Sequence, residues 1–168
     1  MYRVFQIILG LIFLFSGIAK GLDPVSTAHK IDQYLSLMSM GFFERIDLLL
    51  AMGVITTEIV LGIIMILNIF PKLGLWIATV MMLVFTPKTF LVAIEHSMKY
   101  AGCFGNVIQL TPWQSNWKNI FMDMLIIITW FGLPRLKNKE PLSTNAQWWI
   151  TISVLFAAVI FQTIAIFV

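Results

Sequence analysis

The chain has 168 residues, of which 60% are apolar and only 11% are charged. Soluble globular domains are about 45–50% apolar and about 25% charged, so this composition requires lipid around the chain and excludes intrinsic disorder. The formal net charge is +3, and we attribute the basic residues to membrane topology instead of nucleic-acid binding. Because Cys103 is the single cysteine, the chain can form no disulfide within itself.

Five segments are long and apolar enough to cross a bilayer as helices. In chain order they cover residues 4–19, 48–68, 73–98, 119–133 and 146–168. The first has no small-residue cleavage site, so we predict that it is retained and is not a signal peptide. The fifth opens on Trp148 and Trp149, which is typical of helices anchored at a membrane interface.

A polar segment of about residues 24–46 separates the first two spans. Its apolar residues recur at helical spacing, at Val25, Ala28, Ile31, Leu35 and Met38. We expect a short helix that lies on the membrane interface, and an ordinary connecting helix fits the same pattern.

Together these segments predict an all-α polytopic membrane protein. Its parts are a four-helix transmembrane bundle over residues 1–134, a basic cytoplasmic loop over 135–145 and a fifth transmembrane helix over 146–168. By count, Lys and Arg tie at five on each side of the membrane. A dense cluster at Arg135, Lys137 and Lys139 decides the orientation, with the N-terminus in the cytoplasm and Cys103 outside.

Three ionisable residues lie deep in the predicted spans: Glu58, Lys88 and Asp123. Such residues cost a few kcal/mol at mid-bilayer, so each is expected to be paired, turned inward or functional. Glu58 and Lys88 lie about 11 and about 10 residues below the outer surface, which at about 1.5 Å per residue predicts an ion pair between them. A purely structural role, in which the pair fixes helix register, explains it equally well.

Further polar residues lie in the same half of the predicted spans. The first span places four residues on one helix face: Phe13, Ser16, Gly17 and Lys20. Asn119 and Asp123 lie in the outer half of the fourth span. The cytoplasmic half offers almost no polar lining, so we expect a pocket that opens outward and not a channel.

The loop over residues 99–118 carries Cys103, with glycines on both sides that favour an open turn. A lone cysteine in a loop is more often incidental than catalytic. A reactive thiol needs a lowered pKa, and the nearby groups that could lower it are Lys99, Lys118 and His96. Cys103 and the two histidines lack the spacing of metal ligands, and no nucleotide-binding loop is present.

Three blocks of residues in this order carry a family resemblance over about residues 3–134. They are Gly10-x-x-Phe13-x-x-Ser16-Gly17-x-x-Lys20 with Asp23-Pro24; Glu58 with Gly62, then Phe85-Thr86-Pro87; and Gly102-Cys103-Phe104-Gly105, then Leu110-Thr111-x-Trp113-Gln114 and Trp117-Lys118-Asn119. The sequence resembles the DoxX/MauE group of small bacterial membrane proteins, and the cysteine block is the most specific part of the likeness.

The resemblance implies a four-helix core in the bacterial inner membrane that takes part in extracytoplasmic thiol redox chemistry. Some relatives are linked to quinone reduction, and MauE-like members to disulfide formation in a partner protein. It implies Cys103 as the thiol, with Lys118 and His96 as the candidates to assist it. The candidate residues of a quinone site are Ser16, Lys20, Glu58, Lys88, Asp123 and Trp113.

One position departs from this pattern. The two-cysteine form of the loop reads Cys-Gly-Cys-Phe-Gly, and this chain has Ala101 at the first cysteine. A single thiol can form only a mixed disulfide or use a cysteine of another chain. Either Ala101 is natural and the dithiol cycle is lost, or it was introduced to trap an intermediate.

The missing cysteine argues against turnover by this chain alone and keeps other functions open. The alternative to a redox protein is a non-catalytic membrane subunit that binds and positions an envelope partner protein. A small carrier that uses the same pocket is less favoured.

Overall fold

A computed structural model describes residues 2–37, 47–95, 103–105, 107–137 and 144–167. These residues form six helices, which confirms the all-α prediction. The helices are α1 (Tyr2–Gly21), α2 (Pro24–Leu37), α3 (Asp47–Leu67), α4 (Pro71–Glu95), α5 (Pro112–Lys137) and α6 (Thr144–Phe167). We call the end of the bundle where α1 and α4 end and α5 begins the Cys103 end, and the opposite end the Arg3 end.

Within the part of the chain that the structure describes, four helices are long and apolar enough to cross a membrane: α1, α3, α4 and α6. Large apolar side chains cover their outer surfaces, for example Leu83 and Phe156, so the protein is a multi-pass membrane protein in contact with lipid. The remaining predicted span, 119–133, lies in α5 and does not meet this criterion within the described residues. The first half of α5 contains the polar residues Lys118, Asn119 and Asp123.

The predicted helix after the first span is confirmed as α2, which packs against α3. Asp23 begins it as an N-cap, because its carboxylate accepts a hydrogen bond from the backbone N–H of Ser26 at 2.9 Å. Pro24 takes the first helical position, where its missing N–H costs nothing. The contact with α3 brings one face of α2 over the Cys103 end.

Glycines let α1 and α3 pack closely where they cross. A Cβ atom added at Gly62 would lie 2.7 Å from the backbone nitrogen of Leu14, and one added at Gly10 would lie 2.9 Å from the carbonyl oxygen of Gly62. Nearer the Cys103 end, a Cβ at Gly17 would lie 2.9 Å from the backbone nitrogen of Ile59. Small residues of this kind are what membrane helices use to bring their backbones together.

At the Arg3 end, α1 caps the last turn of α3. Arg3 donates to the carbonyl of Ile66 at 2.8 Å, and Gln6 donates to the carbonyl of Met65 at 3.0 Å and to Asn68 Oδ1 at 3.1 Å. The last carbonyls of a helix have no hydrogen-bond partner within it, and a cation near them also interacts favourably with the helix dipole. These three hydrogen bonds therefore fix the position of α1 along α3.

A buried amide holds α6 against the bundle. Gln162 is fully buried, and its Nε2 donates to Thr56 Oγ1 on α3 at 2.7 Å. The rest of α6 is largely exposed: only 11% of its most apolar stretch is buried inside the structure. The helix is therefore a lipid-facing addition to a core formed by α1, α3, α4 and α5.

The close approach of α1 and α3 predicts the effect of a single methyl group. We expect Gly62→Ala to lower the free energy of unfolding by about 1–3 kcal/mol, because its Cβ meets backbone and not a flexible side chain. Gly53→Ala, on the same helix, is the control, since a Cβ there meets nothing within 4 Å. Thermal unfolding in detergent measures both, and an equal loss in the two variants would contradict the packing described.

Candidate functional site

A cavity of about 260 Å³ lies at the Cys103 end of the bundle. Five helices and the loop before α5 contribute to its wall, which is mostly apolar. The charged or reactive residues that line it within the described chain are Lys20, Lys30, Glu58, Lys88, Lys118 and Cys103. We call it the Cys103 cavity.

An ion pair between Lys20 and Glu58 lies at the centre of this site. Both residues are buried, at 7% and 1% exposure. The sequence predicted Lys88 as the partner of Glu58 from their matching depths, but the ion pair joins Glu58 to α1. The physical reason is the glycine contact: a Cβ at Gly17 would lie 3.1 Å from Glu58 Cβ, and Lys20 follows one turn later on the same face.

Lys88 lies in the same cavity and is half-buried. Its Nζ is 5.9 Å from the centroid of the Phe85 ring, and the Nζ of Lys20 is 5.3 Å from the same ring. Cations at this distance are attracted by the face of an aromatic ring. Two ammonium groups therefore lie close to the Phe85 ring, and Lys88 is within electrostatic range of Glu58.

Side chains of α1 and α2 hold the backbone of the cysteine loop. Ser16 Oγ donates to the carbonyl of Cys103 at 2.9 Å, and Lys30 Nζ donates to the carbonyl of Gly105 at 3.0 Å. Gly105 has a φ of +59°, and a Cβ there would lie 2.7 Å from the carbonyl oxygen of Ala19. Only glycine fits a left-handed position this close to another backbone.

Aromatic contacts complete the attachment of the loop. The rings of Phe104 and Phe15 meet edge to face with centroids 5.3 Å apart, a favourable arrangement for an aromatic pair. Lys118 Nζ lies 4.9 Å from the centroid of the Phe104 ring. Cys103, which is half-buried, is thereby fixed at the edge of the cavity.

The surroundings of Cys103 are cationic. Lys30, Lys88 and Lys118 all lie within electrostatic range of its sulfur. Burial lowers the pKa of Lys30, and the nearby Asp23 carboxylate partly offsets that effect. Positive charge therefore surrounds the position where a partner group would meet the sulfur.

The structure brings together six of the residues singled out in the sequence: Ser16, Lys20, Glu58, Lys88, Lys118 and Cys103. Asp123 and Trp113 do not line the cavity. Asp123 instead accepts a hydrogen bond from Thr86 Oγ1 at 2.8 Å, and Trp113 is exposed at the start of α5. His96 lies outside the described residues, as do Lys99 and Ala101.

Lys30 and its neighbours on α2 were missed in the sequence as members of the site. Lys30 was assigned only to topology, but Thr27, Lys30 and Ile31 all line the cavity. Their spacing of three and four residues marks one face of α2 and could have identified them. Asn119 donates to Thr89 Oγ1 at 3.0 Å and ties α5 to α4. No sequence pattern pointed to that contact.

Two residues that line the cavity each have a buried acceptor atom without a partner in the described part of the chain. Glu58 Oε2 and Asn119 Oδ1 have no hydrogen-bond partner among the described residues, although both side chains are 1% exposed. Buried polar atoms are nearly always hydrogen-bonded. The site therefore combines several cations, one carboxylate and two acceptors that a ligand with donor groups can satisfy.

These features define a polytopic helical membrane protein with a cysteine at the edge of a cationic cavity within its transmembrane bundle. The chain belongs to the family described as methylamine utilisation protein MauE, which matches residues 1–133. The MauE part of the expected resemblance is thereby confirmed.

One curated relative is Protein TlpB of Flavobacterium psychrophilum. It is 27% identical over 158 residues, which are 92% of this chain and 41% of the relative. The chain thus spans less than half the length of the curated relative it matches. No solved structure matches the chain significantly.

The buried ion pair predicts a non-additive response to mutation. Lys20→Met leaves the Glu58 carboxylate buried without its cation, and we expect a loss of about 3–5 kcal/mol of stability. Lys20→Met combined with Glu58→Leu removes both charges and should recover most of that loss. A double-mutant cycle of thermal unfolding measures the coupling, and additive effects of the two substitutions would contradict the pair.

Proposed function

We propose that this protein carries out thiol–disulfide exchange on the extracytoplasmic side of the bacterial inner membrane, with Cys103 as the reacting thiol. The observation that carries the proposal is the position of Cys103. Helices α1 and α2 hold its loop at the edge of a cavity that contains Lys88 and Lys118. Membership of the MauE family and the resemblance of the loop to a two-cysteine motif support it.

The exchange needs no external oxidant. The thiolate of Cys103 attacks a disulfide of the partner protein, one new S–S bond forms, and the second partner sulfur leaves as a thiolate. The proton that Cys103 gives up is available to that leaving sulfur. Lys118 and Lys88, within electrostatic range of the sulfur, stabilise the negative charge before and after the attack.

The opposite reaction, in which two thiols are oxidised to a disulfide, needs a second thiol. This chain has only one cysteine, so the second thiol must come from elsewhere. A partner cysteine supplies it, in the role that the residue at Ala101 has in the two-cysteine form. Cys103 and the partner thiol together give up two electrons and two protons when their mixed disulfide forms. A quinone bound in the Cys103 cavity would accept both, within reach of the bilayer where quinones are dissolved.

The residues present fit a quinone. Lysine ammonium groups are donors for its carbonyl oxygens. The partnerless acceptors Glu58 Oε2 and Asn119 Oδ1 suit the hydroxyl groups of the reduced form, and the apolar walls suit its ring. Ser16 also lines the cavity, but its hydroxyl donates to the carbonyl of Cys103, so we do not assign it to the quinone. Asp123 and Trp113 do not line the cavity, so we leave them out of this site.

A second function is favoured by one observation. The Lys20–Glu58 pair joins α1 to α3 next to their glycine contact, as a purely structural pair would. In that case the protein positions an envelope partner without chemistry, and its binding to that partner does not depend on Cys103.

Labelling of intact cells tests the side and the reactivity of the thiol. We expect a membrane-impermeant maleimide to modify Cys103, and no label in Cys103→Ser. The control is a cysteine introduced as Asn138→Cys in the Cys103→Ser background, in the loop predicted to be cytoplasmic, which should be labelled only after cell lysis. Labelling of that control in intact cells and protection of Cys103 would reverse the proposed orientation.

Capture of a partner separates the two functions. We expect the wild-type chain to form a covalent complex that disappears on reduction and is absent in Cys103→Ser. If the Cys103→Ser chain retains the same partner without covalent linkage and with full biological activity, the positioning function is correct instead.

Quinone content tests the cofactor. Protein purified in mild detergent should retain quinone, measured by organic extraction and chromatography, and Lys88→Met should lower its amount several-fold. Lys72→Met is the control, because Lys72 is exposed at the start of α4 and lies outside the cavity lining. Equal quinone in both variants, at the level of a detergent blank, would rule out the cavity as its site.

A further inference from the structure

We infer that the Cys103 cavity binds an anionic amphiphile with hydroxyl groups on its head, such as an anionic phospholipid, whose apolar chain leaves the protein between α3 and α4. The inference concerns the cavity in which we place the quinone, and it does not depend on thiol exchange. A lipid in this position would compete with a quinone for the same lysines.

The charge of the cavity points to an anion. Within the described residues, four lysines and one glutamate line it, and these lysines come from four different helices: Lys20, Lys30, Lys88 and Lys118. Glu58 is the one acidic residue among the described lining residues, and Asp23, outside the lining, is close enough to Lys30 to offset part of its charge. Excess charge inside a membrane protein is costly unless an opposite charge is close.

The shape of the cavity points to an amphiphile. Its walls are largely apolar and include Phe13, Met82 and Met122. Leu50 on α3 and Val84 on α4 also line it, and they are 36% and 60% exposed on the outside of the helices. On membrane-spanning helices such a surface faces lipid, so the cavity opens sideways between α3 and α4 toward the acyl chains.

The acceptors in the cavity point to the type of headgroup. Glu58 and Asn119 line the cavity, and their buried acceptor atoms Oε2 and Oδ1 lack hydrogen-bond partners among the described residues. A phosphate alone offers no donor to them when it is fully ionised, whereas a glycerol headgroup offers two hydroxyls. A headgroup that combines one negative charge with hydroxyl groups satisfies both the lysines and the acceptors.

Native mass spectrometry of the Cys103→Ser protein tests the inference without interference from thiol chemistry. We expect phosphatidylglycerol to bind at least ten-fold more tightly than phosphatidylcholine. Lys88→Met and Lys118→Met should each weaken phosphatidylglycerol binding about five-fold, since a lysine near an anionic headgroup contributes about 1 kcal/mol and about 1.4 kcal/mol is ten-fold. Lys72→Met should leave it unchanged.

Charge-preserving variants separate binding from folding. Lys88→Arg and Lys118→Arg should retain most of the affinity, and each variant is compared with the wild type by its unfolding temperature without added lipid. The inference is overturned if the two lipids bind equally, if Lys72→Met weakens binding as much as Lys88→Met, or if inorganic phosphate alone stabilises the protein as strongly as phosphatidylglycerol. If lipid binding fails these tests but Cys103 is still labelled in intact cells, the proposed thiol exchange is unaffected.

Discussion

The close packing of α1 against α3 is the constraint on which the rest of this structure depends. Glycines at the crossing remove the side chains that would otherwise separate the two backbones, and Lys20 thereby reaches Glu58 inside the bundle. Neither charge is stable alone in an apolar interior, because an ionised group there loses its hydration. Helix contact and ion pair therefore stabilise each other, and the Cys103 loop is attached to the same stretch of α1.

The cavity is a product of tertiary structure. Each of five helices contributes one charged side chain to it, and the cysteine comes from the loop between α4 and α5. No short segment of the chain contains more than a fraction of the site. A substitution far from the cavity can therefore alter it by changing how the helices pack.

The apolar segments and their lengths made the fold class predictable from sequence, because membrane crossing depends on local composition. The grouping of Ser16, Lys20, Glu58, Lys88 and Cys103 was also predictable from depth along the spans. Depth does not show which helices are neighbours, so the partner of Glu58 was assigned to α4 instead of α1. For the same reason Asp123 was placed in the pocket, although it faces Thr86 at the contact of α4 and α5. Lys30 was missed because its role depends on α2 packing over the bundle.

The order of the chain gives the Lys20–Glu58 pair a consequence for membrane insertion. Lys20 is synthesised 38 residues before Glu58, a delay of a few seconds at about 5–20 residues per second. During that interval α1 has an ammonium group and no carboxylate to receive it. Because Lys20 is in the last turn of α1, its long side chain can keep the charge at the water interface until α3 arrives. The position of the lysine at the helix end thus allows α1 to enter the bilayer first and the buried pair to form later.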